Sequence, residues 1–90
     1  MLFITNTLNI EILDKLSAKI DSIEVSDVIA LINDSDPKDV LGIFSNRFIC
    51  RTINSKLKTN FEFIDGLIIP HSGDVIIVIT ITTVHLIIIK

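Results

Sequence analysis

Fifteen consecutive residues, Val75–Ile89, carry no formal charge when histidine is neutral, and thirteen of them are Val, Ile or Thr. Side chains branched at Cβ lose rotamer freedom in a helix and fit a pleated sheet, so the run demands strand structure. It is too short for a membrane-spanning helix, which needs about 20 apolar residues. Thr80, Thr82, Thr83 and His85 also interrupt it with polar atoms. At ~3.3 Å per residue one unbroken strand of this length measures about 50 Å, far too long for a small domain. The run contains no Gly, Pro or Asn, the residues that turn a hairpin most readily. Either a bulge near Thr82-Thr83 bends it, or its end leaves the domain to pair with another subunit, and the second is the expectation.

A chain of 90 residues supports one domain, spanning 1–90. It is 49% hydrophobic with 20 isoleucines and neither Trp nor Tyr. That aliphatic supply exceeds what one small core needs, so part of it is expected to line an interface in a homodimer or larger homo-oligomer. Cys50 is the single cysteine, which precludes an internal disulfide. No charged segment followed by an apolar one precedes residue 20, so no secretory signal is read and a cytoplasmic location is expected.

Leu2–Thr5 reads as a first strand. Leu8, Ile12, Leu13 and Leu16 have helical spacing, but Asn9 and Asp14 leave residues 6–18 ambiguous. Ala18–Val25 is a candidate second strand. Ser26 then caps a short helix through Asn33, with Asp27 in its first turn. Residues 34–38 are a loop, and Val40–Phe44 is a buried strand. Ser45 or Asn46 caps a helix over Arg47–Lys58, where Ile49, Cys50, Ile53 and Leu57 share one face and Arg47, Arg51, Asn54 and Lys58 the adjacent one. Phe61–Ile69 reads as a strand ending at Pro70. His71-Ser72-Gly73-Asp74 is a tight turn in which Gly73 can take positive φ. The expected fold is α+β: one mixed sheet of four to five strands flanked by two or three short helices.

Charge is unevenly distributed. Residues 1–39 hold eight acids and three lysines, and residues 62–90 hold three acids and Lys90. Between Val40 and Phe61 stand Arg47, Arg51, Lys56 and Lys58 with no carboxylate, a +4 island in a chain of net charge −3. A helix N-terminus with adjacent arginines is an anion site, and each arginine can clamp a phosphate bidentately. The same pair equally suits a solvated surface or ion pairs with the acidic N-terminal half. Double-helical DNA is disfavoured because the island is small and the net charge negative. His71 reads as an exposed loop residue and His85 as a core or interface histidine, though either can serve as an acid or base. Two histidines and one cysteine at long spacings make no metal site. Asp34, Asp36 and Asp39 lack the Gly and Glu positions of a calcium loop and read as solvated charges. No nucleotide-cofactor fingerprint is present.

Three segments resemble a family of small proteins from viruses of hyperthermophilic archaea, which includes the viral ring nucleases, anti-CRISPR proteins that destroy cyclic tetra-adenylate. They are Leu2-Phe3-Ile4-Thr5-Asn6-Thr7-Leu8, Leu41-Gly42-Ile43-Phe44-Ser45-Asn46-Arg47-Phe48, and His71-Ser72-Gly73-Asp74-Val75-Ile76-Ile77-Val78. The resemblance implies a mixed sheet flanked by helices, a two-fold dimer, and a ligand across its interface, held by Asn6 and by the helix N-terminus. It also marks a departure. The family has Gly-His followed by a Thr before and into that helix, with the His as general acid. Here Phe44, Ser45 and Phe48 stand at those positions. The family's Arg- and Glu-bearing C-terminal segment is replaced by Thr83-Val84-His85-Leu86-Ile87. A serine hydroxyl cannot protonate a leaving alkoxide near neutral pH as an imidazolium can.

The expected reading is therefore an archaeal-virus accessory protein in the host cytoplasm. It would bind RNA or a cyclic oligoadenylate through Asn6, Ser45, Asn46, Arg47 and Arg51, without a cofactor or metal and without the family's hydrolysis. Two alternatives stand beside it. One is an active metal-independent ribonuclease using His71 or His85. The other is an oligomeric structural or interaction protein with no small-molecule ligand.

Overall fold

The computed structural model describes residues 1–8 and 17–90. Five strands form one mixed sheet: β1 (Leu2–Thr5), β2 (Ala18–Ser22), β3 (Val40–Ile43), β4 (Val75–Ile79) and β5 (Val84–Ile89). Two helices, α1 (Val25–Asp34) and α2 (Arg47–Leu57), complete the described elements with a 3-10 turn at Pro37–Asp39. The strand order is β2-β5-β4-β1-β3. β1 is parallel to both of its neighbours, β3 and β4, while β5 runs antiparallel between β4 and β2. The chain is thus an α+β domain, as the sequence implies.

Alternation along the strands divides the aliphatic residues between two faces. Leu2, Ile4, Ile77 and Ile79 meet Val28 of α1 and Cys50, Ile53 and Leu57 of α2, with Phe44 in the same cluster. Ile76, Ile87 and Ile89 point the other way and gather Ile68, Phe3, Ile43 and Val78. Both faces are apolar, which is why β1, β3, β4 and β5 are nearly continuous aliphatic runs, while β2 at the edge alternates.

The uncharged run Val75–Ile89 is a hairpin, not one strand. Its turn needs neither Gly nor Asn, because threonine hydroxyls close it. Thr80 N–H donates to Thr83 O at 2.9 Å, Thr83 N–H donates to Thr80 Oγ1 at 3.1 Å, and the two hydroxyls lie 2.7 Å apart. Ile81 stands in solvent at the tip, 97% exposed. The longest dimension of the fold is 32 Å, so a strand of about 50 Å does not fit. β5 has strands on both sides, so its pairing is within the chain.

Other boundaries also differ. β2 stops at Ser22 rather than Val25, and Glu24, not Ser26, is the N-cap of α1. Asp27 decides this by accepting the Glu24 N–H at 3.0 Å, a reciprocal cap that starts the helix two residues early. Part of the 34–38 loop is ordered by Asp36, whose carboxylate accepts the Lys38 N–H and starts the Pro37–Asp39 turn. The helical spacing noted through Leu16 lies mostly outside the described residues.

Phe61–Ile69 is not a strand but an irregular segment. Side chains rather than a ladder satisfy the backbone of Phe61 at its start. Asn54 accepts the Phe61 N–H at 2.8 Å and donates to Phe61 O at 2.8 Å, while Thr59 Oγ1 donates to Asn54 Oδ1. Asn54 therefore turns inward and does not extend the basic face. The expected core face of α2 is observed, with Cys50, Ile53 and Leu57 buried. Asn46 is the cap, accepting the Ile49 N–H at 2.9 Å, and Lys58 ends the helix in the left-handed region at φ 57°. The His71–Asp74 turn forms as expected, with Gly73 at φ 90°.

Candidate functional site

Two adjacent parallel strands end side by side. Thr5 of β1 is in register with Ile43 of β3, and the chain leaves them through Asn6 and Phe44-Ser45. Asn6 and Ser45, 39 residues apart, hydrogen-bond reciprocally: Asn6 Nδ2 donates to Ser45 Oγ at 2.9 Å, and Ser45 N–H donates to Asn6 Oδ1 at 3.0 Å. This strap locks the two strand ends together. Ser45 Oγ already accepts from Asn6, so its own proton is directed away from the strap and can be donated to a ligand.

A cleft of about 250 Å³ opens beside the strap, lined by Thr5, Thr7, Ile43, Ser45, Asp65 and Ile68, among others. Its position outside the carboxyl ends of parallel strands is the usual place for a ligand in sheets of this kind. Thr5 is buried, with its hydroxyl donating to Thr7 O at 3.0 Å, which turns the chain out of β1 and shapes the floor. Asp65 brings a carboxylate to the wall. It opposes a second anionic group there and can accept from hydroxyls instead.

Asn46 follows Ser45 directly, and its side-chain oxygen is committed to the helix cap, leaving its NH₂ group as a donor. The main-chain amides of Arg47 and Phe48 begin α2 beyond it, at the positive end of the helix dipole. The Arg47 guanidinium stacks over the Phe63 ring, 5.0 Å from its centroid, and so is held by the irregular segment that walls the cleft. Neither Arg47 nor Arg51 forms an ion pair among the described residues. Neither arginine lines the cleft, and Arg51 borders a shallow surface groove with Phe48, Thr52, Ser55 and Lys56.

The histidines are placed elsewhere. His71 precedes β4 and lies level with the start of β1, at the opposite end of the sheet from the cleft. Its N–H donates to Asp74 Oδ2 at 2.8 Å, and its ring Nδ1 is 3.9 Å from the same carboxylate. His85 pairs with Val78, which pairs with Thr5. It therefore shares Thr5's face and level but stands two strands, about 10 Å, away. That is beyond the reach of a general acid acting on a ligand in the cleft. His85 is half-buried on β5 rather than a core residue.

Asn6 and Ser45 thus come together at the cleft within one chain, with Asn46 and Arg47 following Ser45 in sequence but outside the cleft lining, whereas Arg51, His71 and His85 do not join them. Thr5 and Asp65 were missed by the sequence reading. The Asp65-Gly66 dipeptide was the available signal, since that pair marks a turn and interrupts the strand expected there. Fold and geometry define an α+β domain with a strapped cleft at the ends of two parallel strands. No protein-family model matches this sequence, and no curated protein matches it significantly.

Proposed function

We propose that the cleft binds a phosphate-bearing ribonucleotide ligand, a short RNA or a cyclic oligoadenylate, without hydrolysing it. The observation that carries this reading is the Asn6–Ser45 strap, which presents the Ser45 hydroxyl as a donor beside the start of α2. Phosphate oxygens accept from Ser45, from the Asn46 NH₂ and from the first amides of α2, with Arg47 supplying charge nearby. Asp65 suits ribose hydroxyls at the far wall. The resemblance to viral ring nucleases of hyperthermophilic archaea supports the same ligand class and an accessory role in a virus-infected cell. Ser45 in place of the catalytic histidine supports binding without turnover.

Titration of cyclic tetra-adenylate and of short RNAs at low salt tests the reading. Saturable binding that Asn6→Ala and Ser45→Ala each weaken about tenfold is expected, the worth of one or two charge-assisted hydrogen bonds. Absence of binding to either ligand overturns it. The ribonuclease alternative has neither histidine within reach of the cleft, His71 lying at the other end of the sheet and His85 two strands away. Product formation that disappears in His85→Ala favours that alternative over simple binding.

A further inference from the structure

Among the described residues the two edges of the sheet are not equivalent, and the bare one is β2. No described strand lies beyond it, and Ile20 at its centre is 55% exposed. An uncovered edge is a template for another strand. The hydrogen-bond parity of β2 is fixed by its inner partner. Ile23 N–H donates to Val84 O, and Lys90 N–H donates to Ser17 O, so the odd-numbered residues of this segment face β5. By the alternation of an antiparallel ladder, the N–H and C=O groups of Ala18, Ile20 and Ser22 point outward.

We infer that β2 pairs antiparallel with β2 of a second copy of this chain, about a two-fold axis at Ile20. With that centre, Ile20 faces the other copy's Ile20, and Ala18 and Ser22 face each other across the axis. Every outward main-chain group then finds a partner, in about six hydrogen bonds. No other register of the same parity uses them all. The side chains agree with this register. Lys19 of each copy falls opposite Asp21 of the other, on the face away from Ile20, so opposite charges meet directly. Within one chain Lys19 and Asp21 already lie 3.6 Å apart with largely exposed side chains, and the pairing extends this into an alternating group of four charges. Ile20, otherwise in solvent, is covered by its symmetry mate. The contact is isologous, so it closes at two subunits. It joins two sheets into one of ten strands, with the clefts beside β1 and β3 toward its two outer ends, remote from the axis. The resemblance sets its ligand across a dimer interface and this contact does not, so assembly and ligand binding are measured separately and either can fail alone.

Sedimentation or light scattering against concentration reads the assembly directly. A mass rising from the 10.0 kDa chain toward twice that value is expected. Ile20→Pro removes an outward N–H that serves no internal bond and should hold the chain at monomer mass with its circular dichroism unchanged. Lys19→Asp and Asp21→Lys each set like charges opposite and should weaken dimerisation about tenfold, while the double exchange restores it. In the unaltered protein, amide exchange at Ala18, Ile20 and Ser22 should slow as concentration rises. A monomer at about 1 mM, a dimer indifferent to Ile20→Pro, or exchange at these amides that is independent of concentration overturns the inference.

Discussion

The two edge strands, β2 and β3, end the same sheet and are treated in opposite ways. β3 is covered: the irregular segment after α2 folds along it, Phe44 N–H donates to Ile64 O at 3.2 Å, and the Phe44 and Phe61 rings meet at 6.2 Å between centroids. β2 carries Lys19 and Asp21 and is left open by the described residues. Covering an edge consumes aromatic rings and a polar clamp, and it yields rigidity where the cleft needs two strand ends in fixed relation. An open edge with one charge of each sign resists indiscriminate pairing yet accepts a complementary copy.

Substitutions should separate the edges by the size of their effects. Phe44→Ala empties the fully buried ring at the covered edge and is expected to cost about 3–5 kcal/mol in urea unfolding. A cost near that of a surface substitution would mean the Phe61 segment does not depend on that ring. Gly42→Ala comes next. A Cβ there lies 2.8 Å from two Phe44 ring atoms and 3.0 Å from Phe61, so about 1–3 kcal/mol of overpacking is expected. Unchanged stability would show that both rings move aside freely.

Asn54→Ala should cost a similar or smaller amount, about 1–3 kcal/mol, by stranding the Phe61 N–H and C=O. Amide exchange at Phe61 should accelerate with it, and protection that persists would sharpen the comparison toward the rings alone. Thr83→Val at the hairpin tip removes one hydroxyl partner of Thr80 and should cost about 0.5–1 kcal/mol. At the open edge Ile20→Thr should fall within about 0.5 kcal/mol in the monomer, measured at dilutions where no association occurs. A large loss there would mean that β2 is covered after all.

Much of the fold was legible in the sequence because its signals are local. The helical spacing of Cys50, Ile53 and Leu57, the Asn46 cap and the Gly73 turn each depend on a few neighbouring residues. Phe61–Ile69 was illegible because its apolar content suits a strand equally well. At its first residue a side chain, Asn54, takes both polar groups of Phe61 that a ladder would use. The site divides in the same way. Asn6 and Ser45 were named from short segments, but nothing in those segments shows that the two bond to each other.

The sequence by itself determined that the run 75–89 forms strand structure, that the chain is α+β, and that Arg47, Arg51 and Lys56 share one helix. Branching at Cβ, periodicity and charge act over one or two turns of chain and need no distant partner. Only the tertiary structure decided that the uncharged run folds back on itself, that Asn6 and Ser45 strap two strand ends together, and that among the described residues one edge is covered while the other is bare. Those outcomes rest on contacts between residues far apart in the chain. Threonine hydroxyls, an inward-turned asparagine and two rings over a glycine exert no directional force until the fold brings their partners within a few ångströms.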